Sequence, residues 1–93
     1  MKNYYPFEEI SIPTEILSNP NLTPNAKILY GVILKFSDNL KCCNVTNRQF
    51  SQMLSVNPTT ISTLISSLRS EHYIITTQND VGFGFKERHI YIK

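Results

Sequence analysis

The chain has 93 residues, of which 41% are hydrophobic and 17% are charged, and its formal net charge is +2. This length suits one domain with a modest core, and the composition is typical of an ordinary globular protein. No apolar run approaches the ~18–20 residues that cross a bilayer, and the N-terminus lacks the apolar stretch of a secretory signal, so we expect a cytoplasmic protein with no membrane partner.

Basic residues are unevenly distributed along the chain. Residues 1–22 contain one lysine and three glutamates, whereas residues 23–93 contain eight Lys or Arg and four Asp or Glu. A mildly basic body suits a polyanionic partner, although many unrelated small domains carry as much charge.

The composition offers little to catalysis or metal binding. Cys42 and Cys43 are adjacent, so we expect free thiols, and only His72 and His89 could complete a four-ligand metal site with them. There is no glycine-rich phosphate loop and no nucleophile with a convincing histidine partner. The sequence therefore predicts no enzyme, no metal and no cofactor.

Residues 1–22 are predicted to form an extended lead-in, with a single helical turn at Ile16 and Leu17, and residues 23–93 the domain proper. A first long helix is predicted to begin with Thr23 as N-cap and Pro24 at the first helical position, and to end at residues 38–39. Its apolar residues follow helical spacing: Ala26, Leu29, Tyr30, Ile33 and Leu34. Residues 40–45 are predicted to form a short edge strand.

Two shorter helices are predicted next. Thr46 and Gln49 fit a capping box that opens the first of them, which should end near Ser55 with Phe50, Met53 and Leu54 buried. Asn57 is predicted to cap the second, with Pro58 at its first position. Its core stripe has helical spacing: Ile61, Leu64, Ile65 and Leu68.

A β-hairpin is predicted to close the chain. Residues 73–77 are rich in β-branched and aromatic side chains, and residues 88–93 alternate between apolar and polar. Gln78-Asn79-Asp80 and the two nearby glycines indicate a turn, so we place the tip over residues 78–86. The predicted fold is mainly α with a small hairpin, a winged helix-turn-helix with a three-helix core.

Five stretches carry a resemblance to a known family: Ile12-Pro13, Leu22-Thr23-Pro24-Asn25-Ala26-Lys27-Ile28-Leu29-Tyr30-Gly31, Ser51-Gln52-Met53-Leu54-Ser55-Val56, Thr60-Ile61 and Leu68-Arg69-Ser70-Glu71-His72-Tyr73-Ile74. They resemble the winged-helix domain of phage and plasmid replication initiators and replisome organisers, over roughly residues 10 to 77. The resemblance implies double-stranded DNA as partner and a mobile-element role in replication or transcription regulation. Helix 57–69 would then lie in the major groove, with hairpin 73–93 as the wing.

The sequence departs from that family at two points. The exposed face of the third helix carries hydroxyls where relatives often have Lys or Arg, and Arg69 is the only charge between Asn57 and Ser70. His72 also stands where a glycine is usual, in a position that favours a left-handed backbone.

Nine residues are predicted to contact DNA: Arg48, Asn57, Thr59, Thr60, Ser62, Thr63, Ser66, Lys86 and Arg88. Their hydroxyl, amide and basic groups suit base edges and phosphates. Alternatives stay open. The hydroxyls of the third helix could form only a solvated face, Asn57 could serve only as a cap, and Thr60 could be only a first-turn residue. Arg48 could be only a solvated arginine, and the basic hairpin residues only a charged strand edge.

A single module gathers few phosphate contacts, so a homodimer or an assembly with a replication or regulatory protein is expected. The alternative function is a winged helix that has lost DNA binding and recognises a protein. Phe83 and Phe85 bear on it, because they either form an interface or, as we favour from the sequence, fold back over the edge of the core.

Overall fold

The fold is that of a computed structural model, in which residues 8–37 and 42–93 are described. The elements are α1 (Thr14–Leu17), α2 (Pro24–Ser37), α3 (Asn47–Leu54), α4 (Pro58–Ser70), β1 (Ile74–Gly82) and β2 (Phe85–Ile92). The predicted winged helix-turn-helix is confirmed as three longer helices followed by an antiparallel hairpin. The predicted end of α2 at residues 38–39 lies outside the described residues.

Local signals set the helix starts. The Thr23 hydroxyl accepts a hydrogen bond from the Ala26 N–H at 3.2 Å, and Pro24 is the first residue of α2, as predicted. At α3 the Thr46 hydroxyl accepts from the Gln49 N–H at 3.1 Å, and the Gln49 side chain accepts from the Thr46 N–H at 2.9 Å. The predicted capping box is therefore present, with two otherwise unpaired donors satisfied.

The helix-turn-helix unit consists of α3, a three-residue turn and α4. Ser55 has a left-handed backbone with φ of 57°, and its N–H bonds the Ser51 carbonyl. Val56 then packs, partly buried, against the core. The predicted burial of α3 needs correction, because Phe50 is fully buried whereas Met53 and Leu54 only flank the core.

The lead-in also contributes to the core. The predicted turn at Ile16 and Leu17 is confirmed as α1, and the Ile16 side chain is fully buried. A Cβ at Gly31 of α2 would lie 3.1 Å from Ile10 and Ile12 side-chain atoms, so the chain passes directly over this glycine. The division into lead-in and domain at residue 23 stays a prediction.

The end of α4 is a Schellman motif. The Tyr73 N–H donates to the Leu68 carbonyl at 3.1 Å, and the His72 N–H donates to the Arg69 carbonyl at 2.9 Å. His72 has a φ of 65°, which confirms that it occupies the position where glycine is favoured. The helix thus ends at a residue whose side chain opposes the backbone conformation.

His72→Gly should raise the free energy of unfolding by about 0.5–1 kcal/mol, because glycine adopts this conformation without the penalty of a Cβ. Thermal unfolding should show an increase of a few degrees in Tm. The matched control is Ser70→Gly, which lies within α4 and should lower stability by a similar amount. Equal losses of stability in the two variants would contradict the claim that the left-handed backbone at His72 is disfavoured by its side chain.

The strands of the hairpin are longer, and its turn is shorter, than the sequence indicated. Strands β1 and β2 pair from Ile74 opposite Ile92 to Gly82 opposite Phe85, so the predicted tip over residues 78–86 is wrong. Pairing extends through Gln78 opposite Arg88 and Asp80 opposite Lys86, with a register irregularity between Asp80 and Gly82. The hairpin turn is only Phe83-Gly84.

Of the predicted edge strand over residues 40–45, the described residues 42–45 form one bridge. Cys43 exchanges two backbone hydrogen bonds with Ile90, at 2.9 Å and 2.8 Å, and the residues before 42 in that range lie outside the described part of the chain. Cys43 and Ile90 are both fully buried, so this bridge fastens the wing to the helical core. Burial also raises the pKa of the Cys43 thiol.

Candidate nucleic-acid interface

The surface of α4 opposite the core stripe is a row of hydroxyls. Ile61, Leu64, Ile65 and Leu68 are buried as predicted. Because 3.6 residues make one turn, the residues spaced between them face outward. The exposed members define the hydroxyl face: Thr59, Ser62, Thr63 and Ser66. Thr60 is partly buried at its flank, while Thr63 directs its hydroxyl to the Thr59 carbonyl at 3.4 Å.

Asn57 lies at the N-cap position of α4 but does not cap it. Its backbone has φ of −70° and ψ of 147°, while its side chain makes no cap hydrogen bond, so the predicted side-chain cap is wrong. The Asn57 amide is therefore exposed beside the hydroxyl face, with its hydrogen-bonding groups open to a ligand.

The inner face of the wing carries the two predicted basic contacts. Side chains alternate along a strand, so Lys86 and Arg88 share the face of the buried Ile90. Lys86 is exposed near the tip, and among the described residues its ammonium has no acidic partner within ion-pair distance. Arg48, the second residue of α3, is likewise exposed. Both cations are open to phosphates.

Arg88 instead points into the protein. Its guanidinium donates to the Val45 carbonyl at 2.7 Å and to the Asn47 side-chain carbonyl, and its Nε is buried without a partner. Burial lowers the pKa of the Arg88 guanidinium, and the Cys43 thiol opposes that shift. The structure thus places the Arg88 side chain between the wing and α3, with both terminal nitrogens of its guanidinium already hydrogen-bonded.

Asn47 extends this contact to the hydroxyl face. Its amide nitrogen donates to the Ser62 hydroxyl at 2.9 Å, while its carbonyl oxygen accepts from Arg88. A second link joins the far end of α4 to the wing, where Arg69 donates to the Thr76 hydroxyl at 3.1 Å. Through these two links, side chains of α3 and α4 are hydrogen-bonded to the hairpin.

Between α4 and the wing lies an open cleft of about 220 Å³. Ser62, Ser66 and Arg69 line it from α4, and Gln78 and Arg88 line it from the hairpin. The hydroxyl face and the inner face of the wing therefore border one continuous polar surface. Asn47 and Gln78 could not be recognised from the sequence, because their roles depend on the tertiary register of the hairpin.

Residues 21–74 match the family described as "Helix-turn-helix domain", which is more than half of the chain. The chain belongs to this helix-turn-helix family. The matched range begins before α2 and ends at the first residue of β1, so it includes both helices of the helix-turn-helix unit and the turn between them.

Two solved structures share the fold of this helix-turn-helix protein. One, described as "Structure of Rep-DNA complex", has a TM-score of 0.68 at 18% identity and covers 92% of this chain and 75% of that chain. The other, described as "N-Terminal domain of DNA binding protein", has a TM-score of 0.66 at 20% identity, with 92% and 74% covered. A search of curated protein sequences finds no match.

Residues 8–37 and 42–93 contain neither a cluster of metal ligands nor a membrane-crossing helix. Within these ranges no three His, Cys, Asp or Glu side chains lie together as a metal site would require, and both cysteines are unpaired. No helix in the same ranges is long and apolar enough to cross a membrane.

Proposed function

We propose that this protein binds double-stranded DNA, with α4 in the major groove and the wing over the adjacent backbone. The observation that carries the proposal is the hydroxyl face of α4, which is exposed and borders the same cleft as the inner face of the wing. An α-helix fits the major groove, where hydroxyls and amides pair with base edges. Asn57 and Ser66 are the proposed base readers.

Exposed cations at the margins of this surface suit the phosphates. Arg48 lies on the helix that precedes the turn, and Lys86 lies near the end of the wing. In helix-turn-helix proteins the first helix crosses the backbone while the second enters the groove. Arg48 and Lys86 are therefore proposed as phosphate contacts on either side of α4, and Arg88 as the residue that positions the wing between them.

The biological setting follows from the family resemblance and is supported by the descriptions of the two fold neighbours, a Rep–DNA complex and a DNA-binding protein. We propose a role in replication initiation or transcription regulation of a mobile element, in the cytoplasm and by binding alone. Few cations reach the interface, so we also propose a homodimer or a larger assembly on DNA.

A second candidate function is recognition of a protein partner by the same fold. Phe83 and Phe85 favour it, because they are exposed and do not fold back over the core, as the sequence suggested they would. The scarcity of Lys and Arg on the hydroxyl face also favours it.

Titration of the protein with a mixed-sequence duplex at low and physiological salt tests the first candidate. We expect binding that weakens steeply with salt, and Arg48→Ala and Lys86→Ala should each lower the slope of log affinity against log salt by about 1. Lys35→Ala is the matched control, since Lys35 lies on α2 beside Ser11 and away from the cleft. Absence of binding at low salt would reject DNA as the ligand.

A further inference from the structure

The wing tip holds a phenylalanine in a conformation that phenylalanine disfavours. The two turn residues, Phe83 and Gly84, have φ of 53° and 78°, the pattern of a type I′ turn. Asn-Gly, Asp-Gly and Gly-Gly are the usual sequences there, because these residues tolerate positive φ. Phe83 gains nothing from packing in return, since its side chain is fully exposed. Its presence is therefore unexplained by folding.

The tip is held in a defined shape. The Asp80 carboxylate accepts a hydrogen bond from the Gly82 N–H at 2.9 Å, directly beside the register irregularity of β1. Phe85 faces Gly82 across the strands and closes the turn. The Phe83 ring is thus presented at the end of an ordered hairpin.

The length of the wing matches the spacing of grooves along DNA. Gln78 lines the cleft beside α4, and Phe83 is five residues further along the hairpin. At ~3.3 Å per residue this segment spans roughly 17 Å. One helical turn of DNA is ~34 Å, so the minor groove lies about half of that from the neighbouring major groove. With α4 in the major groove and the hairpin running along the duplex, the wing is long enough for its tip to reach the adjacent minor groove.

We propose that Phe83 enters this minor groove and inserts as an apolar wedge at a base step. The inference rests on the proposed function. Apolar side chains in minor grooves partly unstack neighbouring base pairs and bend the duplex, and that contact would offset the disfavoured turn. Lys86, three residues along the chain on the inner face, is in place to meet a flanking phosphate.

The size of the patch favours DNA over a protein partner. Val81, Phe83 and Phe85 are the exposed apolar residues near the tip. Aromatic side chains bury ~150–250 Å² each, so full cover of the patch gives roughly 500 Å². A stable protein interface needs ~800 Å² on each partner. A single wedge, by contrast, needs only one ring.

Phe83→Asn separates folding from binding, because asparagine is favoured at this turn position. The test uses a 30-base-pair duplex carrying the sequence that the wild-type protein enriches from a random pool, with fluorophores at both ends to report bending. We expect Phe83→Asn to retain or raise Tm, to weaken binding about tenfold with an unchanged salt slope, and to abolish the bend. Phe85→Ala, on the outer face, is the control and should bend the duplex like the wild type.

Equal affinity and equal bending by Phe83→Asn and wild type would overturn the wedge, while wild-type binding itself would leave the proposed function standing. Failure of the wild type to bind any duplex at low salt would instead overturn the proposed function. A change in self-association by Phe83→Asn, measured by sedimentation with DNA bending intact, would overturn the wedge in favour of a protein contact.

Discussion

Arg88→Ala should lower the free energy of unfolding by about 2–3 kcal/mol, a large effect for a domain of this size. The substitution removes the guanidinium that donates hydrogen bonds to the Val45 carbonyl and to the Asn47 side chain. Val45 lies just before α3 and Asn47 is its first residue, so both bonds join the wing to the start of α3. Hydrogen bonds from a charged donor are the stronger kind, and the acceptors left behind lose their partner. Urea unfolding followed by circular dichroism measures the loss.

Lys86→Ala is the matched control for Arg88→Ala, because Lys86 is on the same strand and face but exposed. Its effect on stability should stay within about 0.5 kcal/mol. Arg88→Lys should fail to restore stability, since one ammonium cannot reproduce the planar fork that reaches both acceptors. Equal stability of Arg88→Ala and Lys86→Ala would show that the observed contacts do not hold the wing.

Ser66→Glu should weaken DNA binding by about a hundredfold at low salt. Ser66 lies on the hydroxyl face and lines the cleft, so a carboxylate there would face the phosphates and the acceptor edges of the groove. Placing like charges together across an interface costs several kcal/mol. Stability should change little, because the site is exposed and glutamate suits a helix interior. Fluorescence anisotropy with a labelled duplex gives the affinity.

The control for Ser66→Glu makes the same charge change elsewhere. Asn25→Glu adds a carboxylate to the exposed first turn of α2, where the helix dipole favours it. It should lower affinity only slightly, through the change in net charge. If both variants bind like the wild type, the hydroxyl face is not the contact surface, and if both fail equally, the loss reflects overall charge.

Helix boundaries and the core stripe were predictable from the sequence because their causes are local. The capping box at Thr46 and Gln49 and the proline at the start of α4 act within one helical turn, and the structure contains both. At His72 the expectation came from the family resemblance, which has glycine after this helix and therefore implied a left-handed backbone, and the structure has a φ of 65° there.

The wing was harder to predict because its pairing is a tertiary property. Asn79, Asp80 and Gly82 have low strand propensity, and with Gln78 they indicate a turn, yet each of these residues pairs across to β2. The bridge between Cys43 and Ile90 anchors the sheet from outside the hairpin. Strand pairing of this kind overrides local preference.

The inward orientation of the Arg88 side chain could not be predicted from the sequence either. A basic residue on a strand of alternating polarity is expected to be a surface charge. Only the hairpin register brings the Arg88 guanidinium to Val45 and Asn47. The same register brings Arg88 to Asn47, whose own bond to Ser62 joins α3 to α4 across a sequence separation of 15 residues. The proposed DNA contacts of the exposed residues, by contrast, stay predictions that binding experiments with DNA must test.

The central claim is that the hydroxyl face of α4 and the inner face of the wing form one DNA-binding surface. The most direct test is titration of the isotope-labelled protein with a short duplex, following backbone and side-chain amide shifts by NMR. We expect the largest shifts at Asn57, Ser62, Ser66, Gln78 and Lys86, with α2 residues near Lys35 unaffected. Shifts confined to the outer face of the wing, or none at low salt, would contradict the claim.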